Sequence, residues 1–168
     1  MIPILMYHQV TEIPLAQDPR GLAVSPSQFE QQMNYLYENG FHCITLYDVV
    51  RNNRDGWKLP SRPIVITFDD GYQNVLTNAS PTLKKYGFTA TIFLVANQLG
   101  TESNWWGQDG AFSGQLLKRE EILEMIHSGF TMGSHSMNHR FLDELDEKLA
   151  LDEIEQSKEF LEGQLDTS

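Results

Sequence analysis

Residues 63–68, Pro-Ile-Val-Ile-Thr-Phe, constrain the fold more than any other stretch of this chain. The run is apolar and β-branched with no alternation, the pattern of a strand buried on both faces, and such strands belong to parallel sheets covered by helices. It ends abruptly in Asp69-Asp70-Gly71. On either side, short apolar runs alternate with amphipathic segments, which predicts βα units and an α/β fold with a mainly parallel sheet.

The flanking elements follow from period and punctuation. A first strand is expected over 2–7, and a helix opens at Ser25, with Pro26 at its first position, Gln28 at N3, a stripe of Phe29, Met33 and Leu36, and Gly40 as its stop. A second strand is expected over 41–46, where Thr45-Leu46-Tyr47-Asp48 has the capping spacing for a following helix. After the 63–68 strand a helical segment reaches Tyr86 and stops at Gly87, and strands over 88–95 and 130–133 bracket a charged helix over 118–128. A last helix over 147–162 places Leu151, Ile154 and Leu161 on one stripe, and the acidic run 143–162 reads as its solvated face. His42, His127 and the single Cys43 fit structural roles, the cysteine as a small hydrophobe. At 168 residues a single domain over 1–168 is expected.

Two of these strands end in residues that bind metals: Phe68 leads into Asp69-Asp70, and Gly133 leads into Ser134-His135. In α/β folds the loops at the carboxyl ends of parallel strands converge, so the two motifs can meet. His135 and His139 stand four apart, which on one turn of helix would put both imidazoles on one face. Two histidines and one carboxylate suit zinc or another first-row divalent ion with positions left for water and substrate. Such an ion lowers the pKa of its water toward about 7 and polarises a carbonyl, and the second carboxylate of the pair can take the proton. This is chemistry for metal-assisted hydrolysis of an amide or ester. Each motif also has an ordinary reading, a solvated Asp-Gly turn and two polar residues at a helix start.

Thr67-Phe68-Asp69-Asp70-Gly71-Tyr72 and His135-Ser136-Met137-Asn138-His139 together resemble the first two motifs of the polysaccharide deacetylase family, the NodB-homology domain or carbohydrate esterase family 4. Ile4-Leu5-Met6-Tyr7-His8 resembles the opening of the branch with the poly-N-acetylglucosamine deacetylases. The resemblance implies an irregular (β/α) barrel, with Asp69 as general base, Asp70, His135 and His139 as metal ligands, and zinc as the usual metal, with cobalt, nickel or iron as alternatives. The implied activity is removal of acetyl groups from an N-acetylated oligo- or polysaccharide. Later family motifs, which supply an arginine, an aspartate, the general-acid histidine and a backbone oxyanion donor, have no match after residues 160–165, so the barrel is expected to lack its C-terminal strands here. Arg140 stands where many relatives have proline.

Around the centre, His8 and Tyr72 are candidate pocket residues, as are Trp105 and Trp106, whose rings could stack on sugars from the long irregular stretch 97–117. A formal net charge of −11 disfavours nucleic acid and anionic membranes as partners. No apolar run approaches the roughly 20 residues of a membrane span. The opening residues supply neither the basic nor the apolar region of a secretory signal, which leaves the compartment open, with envelope or secreted proteins compatible if this is the folded part of a longer chain. Oligomeric state is not legible. Two alternatives remain at this level: a carbohydrate-binding relative without activity, and a metal-dependent phosphohydrolase, which the acidic charge and the absence of a basic phosphate cradle count against.

Overall fold

The computed structural model describes residues 1–103 and 113–166. At its centre is β5 (Pro63–Phe68), with the bounds expected, and Ile64 to Phe68 are all buried. Along one side of β5 runs β1 (Ile4–Tyr7), Tyr7 in register with Phe68. The other side is shared: β4 (His42–Ile44) pairs with Pro63 to Val65, and β6 (Thr91–Leu94) pairs with Thr67 and Phe68. The change of neighbour halfway along β5 makes the strand order irregular. β7 (Thr131–Ser134) adds to β6, and every pairing is parallel. Among the described residues β1 and β7 end the main strand order, and β4, paired only with β5, branches from it. A small parallel pair, β2 (Gln9–Val10) with β3 (Ala23–Val24), lies apart from it.

α1 (Pro26–Glu38) forms as expected, with the Ser25 hydroxyl accepting from the Gln28 N–H and with Phe29, Met33 and Leu36 buried. α2 (Leu46–Asp55) starts where Thr45 and Asp48 close a capping box, and this shortens the second strand, which ends at Ile44 rather than at residue 46. The segment expected as one helix after β5 is instead a π-helical turn, Val75–Ala79, followed by α3 (Ser80–Lys85). Pro81, which has no N–H and crowds the carbonyl four residues back, sits where the wider turn gives way to α-helix. α4 (Arg119–His127) and α5 (Glu147–Leu165) complete the helices. β6 and β7 are shorter or shifted by a residue relative to expectation, the usual uncertainty of boundaries read from sequence.

The buried face of α5 differs from the expected stripe. Leu151 and Ile154 are 50% and 51% exposed, while Glu153, Ser157, Leu161 and Leu165 are buried. The helix is rotated so that the row Glu153, Ser157, Leu161 faces inward, and the Ser157 hydroxyl meets the Ser134 hydroxyl at the end of β7. The core itself joins α1, β5, β6 and α4 through Phe29, Met33, Ile66, Phe68, Ile92 and Ile122, each worth about 1.5–3 kcal/mol of burial. Cys43 is partly buried and its thiol donates to the Thr89 carbonyl; His42 and His127 hydrogen-bond the carbonyls of Ser61 and Leu123, as structural roles require. No described helix is long and apolar enough to cross a membrane.

Candidate metal centre

The two motifs meet at the carboxyl ends of β5 and β7. β5 stops at Phe68, Asp69 stays tied to β1 through its N–H to the Tyr7 carbonyl, and Asp70 turns into the left-handed region at φ 74°. The turn separates the adjacent carboxylates: Asp70 is 2% exposed, and Asp69 is only partly buried. Gly71 continues it at φ 79°, and a Cβ there would stand 2.8 Å from the Leu94 Cδ2, so both conformation and space require glycine.

His135 and His139 are not on a helix. β7 ends at Ser134, and the five residues 135–139 form a bent loop in which Ser136 and His139 have φ of 64° and 57°. Ser136 Oγ accepts from the His139 N–H, closing the bend. The imidazoles still share one side, with ring centroids 5.0 Å apart. A loop with two left-handed residues delivers what the four-residue spacing was expected to deliver by helical turn.

His135 Nε2 and His139 Nε2 lie 3.3 and 3.1 Å from the same Asp70 oxygen, Oδ1, and one donor atom from each residue lies within 4.8 Å of the others. Ligands about 2.1 Å from a common ion stand roughly 3.0–3.4 Å apart in octahedral or tetrahedral arrangement, so the spacings fit. The state of the carboxylate fits as well. Both Asp70 oxygens are buried without an aligned hydrogen bond, although two ring nitrogens are within range. A buried carboxylate in that condition is costly unless another group satisfies it, and a divalent cation held by Asp70, His135 and His139 would do so.

The electrostatics divide the aspartates. Burial pushes the Asp70 carboxyl up, but the two imidazoles more than reverse this and hold it at about 2. Burial raises the Asp69 carboxyl above its ordinary range, against the opposing pull of His135 and His8. For His135 burial disfavours the charged form, yet contact with Asp70 prevails and raises its pKa. Carboxylates driven apart in this way are the pattern of one ionised ligand beside one proton acceptor.

The remaining candidates fall differently. His8 follows Tyr7 at the end of β1, beside Asp69, and its charge acts on both aspartates. Tyr72 is fully buried, its ring against Gly114, so it is a core residue rather than a pocket wall. Trp105 and Trp106 lie outside the described residues. A groove of about 870 Å³ runs between β7 and α5; both histidines line it and neither aspartate does, which makes it the open flank of the sheet edge rather than the site of chemistry.

Comparison with known proteins identifies the family and the fold. The family model described as polysaccharide deacetylase matches residues 57–167. The Bacillus subtilis protein YxkH, named for a polysaccharide deacetylase, is 30% identical over 96% of this chain and 52% of its own length. A poly-β-1,6-N-acetyl-D-glucosamine N-deacetylase of Staphylococcus aureus is 31% identical over 74% of this chain and 41% of its own length. The chain thus spans about half the length of the curated relatives it matches. Among solved structures, the Streptococcus pyogenes deacetylase PplD, in complex with acetate, superposes with a TM-score of 0.82 at 26% identity, covering 99% of this chain and 70% of that one. IcaB from Ammonifex degensii superposes with a TM-score of 0.83 at 25% identity and the same coverages.

Proposed function

The chain belongs to the polysaccharide deacetylase family, and on that premise we propose that it carries the metal and base half of a hydrolase removing acetyl groups from N-acetylated sugars. One observation carries the reading: two imidazole nitrogens within 3.3 Å of a buried, otherwise unsatisfied carboxylate oxygen, with a second carboxylate next in the chain. The substrate class rests on the relatives, of which the Staphylococcus aureus proteins are named for poly-β-1,6-N-acetyl-D-glucosamine. A neutral glycan that becomes cationic as acetyl groups leave also suits a chain of net charge −11.

Asp70, His135 and His139 are the residues that hold the divalent ion, zinc in the first instance and cobalt, nickel or iron as alternatives. The ion supplies Lewis acidity at the acetyl carbonyl and eases deprotonation of a water. Asp69 accepts that proton on its carboxylate as the water attacks the acetyl carbon, and its raised proton affinity suits the task. Asp70 stays ionised throughout. His8, next after β1 and electrostatically coupled to Asp69, is the nearest further candidate for a substrate contact.

Asp69→Asn tests the assignment. The variant should keep its divalent metal and lose roughly 10²–10⁴-fold in acetate release from poly-N-acetylglucosamine, chitin oligomers or peptidoglycan, whichever the unaltered chain accepts. Normal deacetylation by this variant would refute the base, and failure of the unaltered chain to bind any divalent metal would refute the centre.

A further inference from the structure

Glu153 is 6% exposed, in the middle of a helix otherwise rich in exposed acids. A buried carboxylate is tolerated only where donors satisfy it, and a leucine there would add to the core at no such cost. Both of its oxygens are used, and both by one residue. Glu153 Oε2 accepts the Asn138 backbone N–H at 2.8 Å, and Oε1 accepts the Asn138 Nδ2 at 2.8 Å. Asn138 immediately precedes His139.

The third polar atom of Asn138 is engaged as well. Its Oδ1 accepts from the Asn97 Nδ2 at 3.0 Å, while the Asn97 and Ala96 backbone N–H groups donate to the carbonyls of Met137 and Ser136. The loop 135–139 is therefore gripped from two sides, by the turn that follows β6 and by α5. It needs that grip, because Ser136 and His139 hold left-handed conformations that non-glycine residues adopt only when their surroundings enforce them. Released, the loop would relax toward ordinary dihedrals, and the His139 imidazole would leave the Asp70 oxygen 3.1 Å away.

We infer that Glu153, through Asn138, is a positioning residue for the metal ligand His139: it touches neither metal nor substrate and fixes the backbone from which His139 projects. The inference rests on the metal-centre reading above. Groups that orient a metal ligand commonly carry 10–100-fold in metal affinity.

The test compares zinc dissociation constants, by competition with a chromophoric chelator, for the unaltered chain, Glu153→Ala, Glu153→Gln, Asn138→Ala and the Glu153→Ala/Asn138→Ala double variant. Melting temperatures of the metal-free proteins are recorded alongside. Glu153→Ala should weaken zinc binding 10–100-fold, Glu153→Gln less because it keeps one acceptor oxygen, and the double variant no more than the worse single one. Asn138 is exposed, so Asn138→Ala keeps the test open should loss of the buried glutamate prevent folding. A purely structural role would lower the melting temperatures and leave zinc affinity where it was, and that result overturns the inference. An Asp70→Asn control separates the two claims. If it abolishes zinc binding while the Glu153 and Asn138 variants bind as tightly as the unaltered chain, the clamp is wrong and the centre stands; if the unaltered chain binds no zinc, the series is run with cobalt, nickel and iron, and if it binds none of these divalent ions, both fall.

Discussion

Gly133→Ala adds one methyl group where the structure has no room for it. Gly133 lies in β7, in register with Phe93 of β6 and two residues ahead of His135. An added Cβ would stand 2.6 Å from both Cδ1 and Cε1 of the Phe93 ring. Ordinary carbon contacts are about 3.5–4.0 Å, so roughly 1 Å of relief is needed. The strands can supply little of it, because four register pairs and the His135 N–H to the Leu94 carbonyl hold β7 against β6. The ring, only partly buried to begin with, must swing further toward solvent or the strands must part, and overpacking of this kind costs about 1–3 kcal/mol. Either route costs about 2 kcal/mol, which for a domain of this size lowers the melting temperature by roughly 4–8 °C. Calorimetric or circular-dichroism melting of the metal-free protein measures it, and a cycle with Phe93→Ala assigns it. In the Phe93→Ala background the glycine substitution should cost at least about 1 kcal/mol less, the coupling expected of residues in contact. A melting temperature unchanged by Gly133→Ala, or an equal cost in both backgrounds, would refute the close-approach argument.

Three further outcomes follow from the same geometry. Asp70→Asn should remove the thermal response to zinc: at a hundredfold excess over Kd the unaltered chain gains about 2.7 kcal/mol, roughly 5–11 °C, and the variant gains none. Thr45→Ala deletes the hydroxyl half of the capping box on α2 and should cost about 1 kcal/mol in urea denaturation, against no change for a substitution at exposed Tyr47. Burial pushes the Cys43 thiol up to about 11 from its ordinary 9.0, so folding favours the neutral thiol. That contribution is fully present below pH 9 and fades as pH rises through about 11, a loss of about 2–3 kcal/mol. The urea midpoint of Cys43→Ala should fall less steeply over this window than that of the unaltered chain; parallel curves would count against a buried thiol.

The sheet was legible because burial on both faces leaves an uninterrupted apolar run, which is why β5 has the bounds read from residues 63–68. Helix starts were legible where a side chain performs the capping, at Ser25 and Thr45. The α5 stripe was not. Leu151 and Ile154 follow a helical period, but a period identifies a face without saying whether apolar or polar atoms wait opposite it. Here the inward row meets the Ser134 hydroxyl and the Asn138 amide, so Ser157 and Glu153 are buried and two aliphatic residues are left exposed, Ile154 along the groove beside β7. Tyr72 was misplaced for a related reason: its position beside the aspartates is local in sequence, whereas its burial depends on Gly114, which lies across the antiparallel bridge from Tyr72 to Leu116.

The residues proposed for the centre could be named from sequence, but not the conformations that bring Asp70, His135 and His139 together. Of the five non-glycine residues with positive φ among those described, three are Asp70, Ser136 and His139. Asp and His visit the left-handed backbone more readily than most residues, but neither marks it as glycine does, so a spacing of four between histidines was read as a helical turn. A helical turn would have held its residues in ordinary right-handed dihedrals and needed no outside constraint to keep them there. The bent loop cannot do that, and so it draws on Asn97, Ala96 and Glu153, residues far apart in the chain. Strain of this kind costs of order 1–3 kcal/mol at each residue and persists only under such constraint. The acidic helix therefore does more than cover the sheet: its buried glutamate holds Asn138, and through it one side of the loop from which His139 projects.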